Sequence, residues 1–210
     1  MVEPFRDIDP ARVRANLDVV RGRAGDGVEI LVAGKYVPLE EMGALAEAGV
    51  ELVGENRLGD LQAKLERWGD TFTWDFIGNL QSRKVRDVLP LVRLIHSVAS
   101  DSVIKELGKH GGEGTEVLIQ VNVAREEGKG GFEPERLGEV IERCPARVVG
   151  LSTMPPFTED PEESRPHFAA LATLAAEHGL ERLSMGTTQD WPVAVAEGAT
   201  TIRLGNALFR

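Results

Sequence analysis

Cysteine is almost absent. Cys144 stands alone in 210 residues, which excludes an internal disulfide and a Cys-rich zinc site and suits a reducing compartment. No apolar run approaches the roughly 20 residues that cross a bilayer. The amino end, Met1 to Pro10, carries Glu3, Asp7 and Asp9 and lacks both an apolar segment and an arginine-rich face. It reads as neither a secretory signal nor a transit peptide, so a cytoplasmic location is expected. Basic residues are the minority, 24 Lys and Arg against 34 Asp and Glu, with a formal charge of −10. A far field of that sign disfavours nucleic acid and anionic membranes as partners, while one local pocket can still hold a small anion. The four histidines show no metal-ligand spacing, and Tyr36 is the only tyrosine.

What the chain does have is alternation. A first helix carries Val13, Leu17 and Val20 on one face, with Arg12, Arg14 and Arg21 around it. Eight short apolar runs then predict strands at 28–34, 51–54, 73–78, 93–98, 116–123, 147–154, 182–186 and 200–205. Amphipathic stretches at 39–48, 58–68, 100–109, 134–143 and 162–178 predict helices, with Pro38 and Pro134 placed for first turns and Gly49 and Gly179 for closing caps. Strand then helix, repeated, implies parallel strands with right-handed crossovers. The strand ends recur about every 24 residues, the length of one βα unit of a barrel. Eight such units after one helix use nearly the whole chain, so residues 1–210 are expected to form a single-domain (β/α)8 TIM barrel with an extra N-terminal helix. A doubly wound open sheet would need a glycine fingerprint at its first turn, and Gly34-Lys35-Tyr36-Val37-Pro38 is not G-x-G-x-x-G.

Working groups in such barrels sit at the carboxyl ends of the strands. Those ends are rich in polar residues and glycine: Lys35, Gly54-Glu55-Asn56, Gly78-Asn79, His96-Ser97, Gln120, Thr153-Met154, Ser184 to Thr188, and Arg203 to Asn206. Lys35 follows an apolar strand directly, so it is expected over the barrel mouth, where desolvation favours a neutral amine able to form a Schiff base. A lysine that snorkels at the rim is the plain alternative. Barrels build phosphate sites after the seventh and eighth strands. Here those loops offer hydroxyls at Ser184, Thr187 and Thr188 and backbone amides at Gly186 and Gly205-Asn206-Ala207.

Arg203 points inward if it alternates with Ile202 and Leu204; a bridge to Glu197 is its ordinary alternative. Against the pyridine nitrogen of an aromatic aldehyde phosphate, such an arginine would keep that nitrogen unprotonated and weaken the ring as an electron sink. His96 is either a satisfied strand-end histidine or an acid–base group. Arg83, Lys84 and Arg86 form a basic cluster that reads as a solvated face or a contact surface. Gly128-Lys129-Gly130-Gly131 lacks the frame of a phosphate-binding loop and reads as a mobile connection.

The runs Val32-Ala33-Gly34-Lys35, Gly54-Glu55-Asn56, Phe76-Ile77-Gly78-Asn79-Leu80-Gln81, His96-Ser97-Val98, Gly150-Leu151-Ser152-Thr153-Met154, Ser184-Met185-Gly186 and Arg203-Leu204-Gly205, in this order, resemble the YggS/PROSC family of pyridoxal phosphate homeostasis proteins. The resemblance covers nearly the whole chain. It implies a barrel like the N-terminal domain of alanine racemase, with pyridoxal 5′-phosphate (PLP) held as a Schiff base on Lys35. It also implies a role in buffering or delivering PLP, with PLP-dependent apoenzymes as recipients and no established turnover. By the same resemblance Ser184, Gly186, Thr188, Gly205 and Asn206 would hold the phosphate, Arg203 would face the pyridine nitrogen and Asn56 would lie near the ring. The chain departs from the family pattern at Gly34, where serine is usual, at Tyr36, where threonine is usual, and at Asp75, where histidine is often found.

Two rival readings stay open. A PLP-dependent amino-acid racemase, or another weak PLP enzyme, needs a base on each face of the substrate carbon, and the sole tyrosine is adjacent to Lys35. With no second domain expected to build the usual racemase dimer, a monomer is expected. A Schiff-base aldolase acting on a sugar phosphate also needs a barrel lysine, but usually on a middle strand.

Overall fold

The computed structural model describes residues 4–112 and 114–210. Residues 1–3 of the amino-end reading therefore lie outside the described residues. Eight parallel strands pair in sequence order and close into a barrel: β1 (Glu29–Ala33), β2 (Leu52–Glu55), β3 (Thr73–Phe76), β4 (Leu94–Val98), β5 (Glu116–Gln120), β6 (Arg147–Ser152), β7 (Arg182–Thr187) and β8 (Thr201–Leu204). The ring closes through β1 and β8, in register from Glu29 opposite Thr201 to Val32 opposite Leu204. Each expected strand is present. Most end earlier than expected, because residues at the rim leave the ladder and turn over the barrel mouth.

The outer layer is α1 (Pro10–Ala24), α2 (Met42–Glu47), α3 (Leu58–Trp68), α4 (Val85–Val88), α5 (Asp101–His110), α6 (Leu137–Arg143), α7 (Arg165–Glu177), α8 (Trp191–Ala196) and α9 (Asn206–Phe209). The side chain of Asp9 accepts from Ala11 N at 2.9 Å and caps α1. That helix buries Val13, Leu17 and Val20, as their spacing requires. The stretches expected at 39–48 and 134–143 begin as the 3₁₀ turns Leu39–Glu41 and Pro134–Arg136 before becoming α-helical. No hydrophobic period marks α4 and α8, because six residues or fewer span less than two turns and cannot display a 3.6-residue period; the cluster of Arg83, Lys84 and Arg86, expected early in a helix, falls on the 3₁₀ turn Ser82–Lys84 and the start of α4. Among the described residues no helix is long and apolar enough to cross a membrane.

The two faces of the strands differ. Val32, Val53, Ile95, Ile119, Leu151 and Ile202 pack outward into one apolar layer with the helices. Their neighbours Leu31, Leu52, Leu94 and Leu118 are buried outside that layer, because alternation turns them into the barrel. Asp75, His96, Ser184 and Arg203 are also buried there, in a space that such barrels normally fill with branched apolar side chains. At the seam, Asn16 Nδ2 on α1 donates to the carbonyls of Leu208 and Arg210, each at 3.1 Å, and the Phe5 and Phe209 rings lie 4.5 Å apart.

Candidate functional site

A cavity of about 340 Å³ opens at the carboxyl ends of the strands. Six expected residues line it: Lys35, Asn56, Thr188, Arg203, Gly205 and Asn206. Ser184 and Gly186 are not in its lining. Thr187, a hydroxyl of the expected phosphate loop, is in it, and so is Tyr36, which the sequence did not single out as a site residue.

Lys35 is exposed, contrary to the expectation of a desolvated amine. The chain leaves β1 after Ala33 and enters the one-turn 3₁₀ helix Gly34–Tyr36, which carries Lys35 off the barrel wall. Its ammonium rests 4.8 Å from the centroid of the Tyr36 ring. The turn is fastened from beneath. Lys64 Nζ on α3 donates to the Gly34 carbonyl at 2.9 Å and pairs with the Glu55 carboxylate. Both side chains of that pair are buried. Burial raises the Glu55 pKa more than the charge and hydrogen bond of Lys64 lower it, so Glu55 sits above its ordinary range. A Cβ on Gly34 would meet Glu55 Oε1 at 2.5 Å, so the bare backbone is what admits the carboxylate.

Asn56 follows β2. Its carbonyl packs on Gly78, where a Cβ would lie 2.2 Å from the Asn56 oxygen and only glycine fits. Asn56 Oδ1 is buried without a hydrogen-bond partner among the described residues.

The two phosphate-type loops face each other. At Gly186 φ is +88°, and an added Cβ would lie 2.5 Å from Ala194 Cβ, so the turn out of β7 needs glycine for both its conformation and the close approach of α8. Thr187 donates to Asp190 Oδ1 from its backbone at 2.7 Å and from its hydroxyl at 3.1 Å. The other Asp190 oxygen accepts from Ser164 at 3.1 Å. Asp190 thereby ties the loop to the start of α8. The amides of Gly205 and Ala207 both point at Thr188 Oγ1, each at 3.4 Å, which is long for an N–H···O bond and leaves these donors weakly engaged.

Arg203 is 8% exposed and turned into the barrel. Its Nη1 donates to the Ser184 carbonyl at 2.6 Å and to Ser184 Oγ at 2.7 Å, and its Nη2 donates to the Thr153 carbonyl at 2.9 Å. The alternative bridge to Glu197 does not form, because Glu197 pairs with Arg165. Burial pulls the Arg203 pKa down to about 10, with the Asp190 charge offsetting part of the effect, so the guanidinium stays cationic at neutral pH, with no carboxylate of the described residues in contact.

Ser184 lies below the cavity rather than in it. It sits three residues before the end of β7, opposite Ser152 in the ladder, and its hydroxyl is fully buried between Arg203 and His96. His96 Nδ1 lies 2.8 Å from Ser184 Oγ, and Nε2 lies 3.0 Å from Asp75 Oδ2. Burial lowers the His96 pKa more than Asp75 raises it, so the ring is neutral. Burial also raises the Asp75 pKa, but hydrogen bonds from His96 and Arg93 outweigh it and hold the carboxyl below its ordinary range. His96 is thus a satisfied strand histidine. Lys64, Asp75 and Asp190 were missed as site supports. The one signal available was Asp75, a charge inside a buried run. Arg83 and Arg86 are exposed, as a solvated face would be.

The family model for the N-terminal domain of alanine racemase matches residues 8–210. The pyridoxal phosphate homeostasis protein of Aquifex aeolicus is 39% identical over 216 residues, covering 95% of each chain. PipY of Synechococcus elongatus, solved with PLP bound, is 30% identical at a TM-score of 0.83, over 94% of this chain and 100% of that one. Alanine racemase from Corynebacterium glutamicum aligns at a TM-score of 0.74 over 96% of this chain and 60% of that one, but at 18% identity the likeness is one of fold. This chain belongs to the alanine racemase N-terminal domain family and, within it, to the pyridoxal phosphate homeostasis proteins.

Proposed function

We propose that the chain binds PLP in the rim cavity and serves PLP homeostasis, buffering the cofactor or delivering it to PLP-dependent apoenzymes, as a monomer inside the cell. One observation carries the reading: a single cavity has an amine, Lys35, on one wall and a guanidinium without a counter-ion, Arg203, on another. The name of the Aquifex relative and the PLP in PipY support it.

The residues present fit this group. Asn56 Oδ1 is a buried acceptor with no partner beside the cavity. The Gly205 and Ala207 amides have only their long contacts to Thr188. A volume of about 340 Å³ lies at the small end of ligand pockets. When bound, PLP supplies an electrophilic aldehyde and a ring able to withdraw electrons. Lys35 is the amine that holds the aldehyde carbon, while the Thr188 hydroxyl and the amides of residues 205–207 hold the phosphate. Asp190 shapes the phosphate loop from behind. Arg203 faces the ring nitrogen as a fixed donor with no proton to give up at neutral pH, which leaves the ring a weak electron sink and favours holding over turnover. A racemase would need a second base across the cavity from Lys35, and Tyr36 stands directly beside it.

PLP added to the purified protein should give a visible absorption band, borohydride should fix the cofactor to Lys35, and Lys35→Ala should lose both. Protein that takes up no PLP would overturn the reading.

A further inference from the structure

A polar thread runs the length of the barrel beneath the cavity. At its floor, Glu29 of β1 receives Arg93 Nη1 at 2.5 Å and Nη2 at 3.2 Å. Arg93 also forks onto Asp75 of β3, with Nε to Oδ1 at 3.0 Å and Nη2 to Oδ2 at 2.7 Å. From Asp75 the thread passes through His96 of β4 and Ser184 of β7 to Arg203 of β8, at 3.0, 2.8 and 2.7 Å in turn. The charged groups facing it are Glu29, Arg93, Asp75 and Arg203, with Asp190 acting on Arg203 from the start of α8. The two carboxylates in contact balance the two guanidiniums.

The direction of every bond is forced. The Asp75 carboxylate can only accept, so His96 carries its proton on Nε2. Its Nδ1 is then a bare acceptor, and the Ser184 hydroxyl must donate to it. That leaves the Ser184 lone pairs for Arg203 Nη1. With the opposite tautomer, Ser184 would receive protons from both neighbours and its own O–H would be orphaned where no water reaches.

We propose that Asp75 and His96, acting through Ser184, are positioning residues for Arg203. They keep its guanidinium aimed at the cavity and out of contact with any carboxylate. This rests on the PLP reading, because the group they position is the one assigned to the ring nitrogen. Two of the Arg203 acceptors are backbone carbonyls. The third, Ser184 Oγ, accepts from Arg203 with its own O–H satisfied only while Asp75 dictates the tautomer two links away.

The first measurement needs no cofactor. Ring ¹⁵N spectra of histidine-labelled protein should show His96 neutral with its proton on Nε2, and Asp75→Asn should mix the tautomers. The second uses PLP labelled at the ring nitrogen. Asp75→Asn and Ser184→Ala should still take up PLP, with the ring-nitrogen shift and visible band displaced and affinity about five- to tenfold weaker. Ser184→Thr should restore both, and Leu118→Val, an interior change off the thread, should alter neither. A doubly protonated or Nδ1-protonated His96 in the intact protein overturns the proposal whether or not the variants fold. So do Asp75→Asn and Ser184→Ala proteins whose PLP signals match Leu118→Val. Failure of the intact protein to take up PLP would instead strike the function proposed above and remove Arg203's ligand with it.

Discussion

Replacing Lys64 with methionine keeps the length of the side chain and removes its charge from beneath the Lys35 turn. Glu55 is then left in the same buried position without its ion-pair partner. An unpaired buried charge of this kind costs about 3–5 kcal/mol, but the carboxyl can escape by taking up a proton. From an ordinary pKa of 4.5, neutralisation at pH 7 costs about 3–4 kcal/mol at roughly 1.4 kcal/mol per unit, and that sets the ceiling. For a chain of this size each kcal/mol lowers Tm by about 2–4 °C, so Lys64→Met should melt roughly 6–16 °C below the parent at pH 7. The same ceiling falls below about 1 kcal/mol at pH 5, so the gap should nearly close there. The sign follows from linkage: the folded-state pKa of Glu55 is raised, unfolding releases a proton, and this group's contribution falls as pH rises above 4.5, more steeply without Lys64. Glu55→Gln with Lys64→Met should recover most of the loss. Melting curves at the two pH values test this. A Lys64→Met protein within 2 °C of the parent at pH 7, or a penalty equal at both pH values, would refute the argument.

Three further outcomes are expected. Thr188→Val should weaken PLP by roughly ten- to a hundredfold in a spectroscopic titration, since a hydrogen bond to a charged group is worth about 1.5–3 kcal/mol; equal affinity would place the phosphate elsewhere. Gly186→Ala should lower stability by about 2–4 kcal/mol in urea unfolding, from the positive φ and the Ala194 clash together. His96 has a folded pKa below its ordinary 6.5, so its contribution is present above that value and lost as pH falls below it. His96→Gln should therefore flatten the stability profile below pH 6.5 relative to the parent, and parallel profiles would contradict the neutral ring.

The strands were legible because parallel barrel strands are covered on both faces and read as short apolar runs, as Ile30 to Ala33 does. The set of rim residues was legible for the same reason, since polar residues stand out at the ends of such runs. Orientation was not. Whether Ser184 faces a ligand or the barrel interior depends on where β7 stops, and its extension to Thr187 leaves Thr188 as the exposed hydroxyl of that loop. Lys35 differs for a related reason: one 3₁₀ turn after Ala33 separates a desolvated amine from an exposed one, and no periodicity reports a single turn. Asp75 belongs to a third kind, a buried charge whose partners Arg93 and His96 come from another strand and its approach. Only the assembled barrel pairs them.

The seam between β1 and β8 has a kinetic consequence. It joins residues 172 positions apart, as the contact of Thr201 with Glu29 shows, and contacts of that separation form slowly because the intervening chain must be ordered first. Lys35 hangs from one side of the seam, and Arg203, Gly205 and Asn206 hang from the other. With PLP in the rim cavity as proposed, a chain still emerging during synthesis would lack half of the site. Acquisition of the visible band becomes a clock for completed closure, and a bound ligand spanning both edges would act as a clasp that slows their parting.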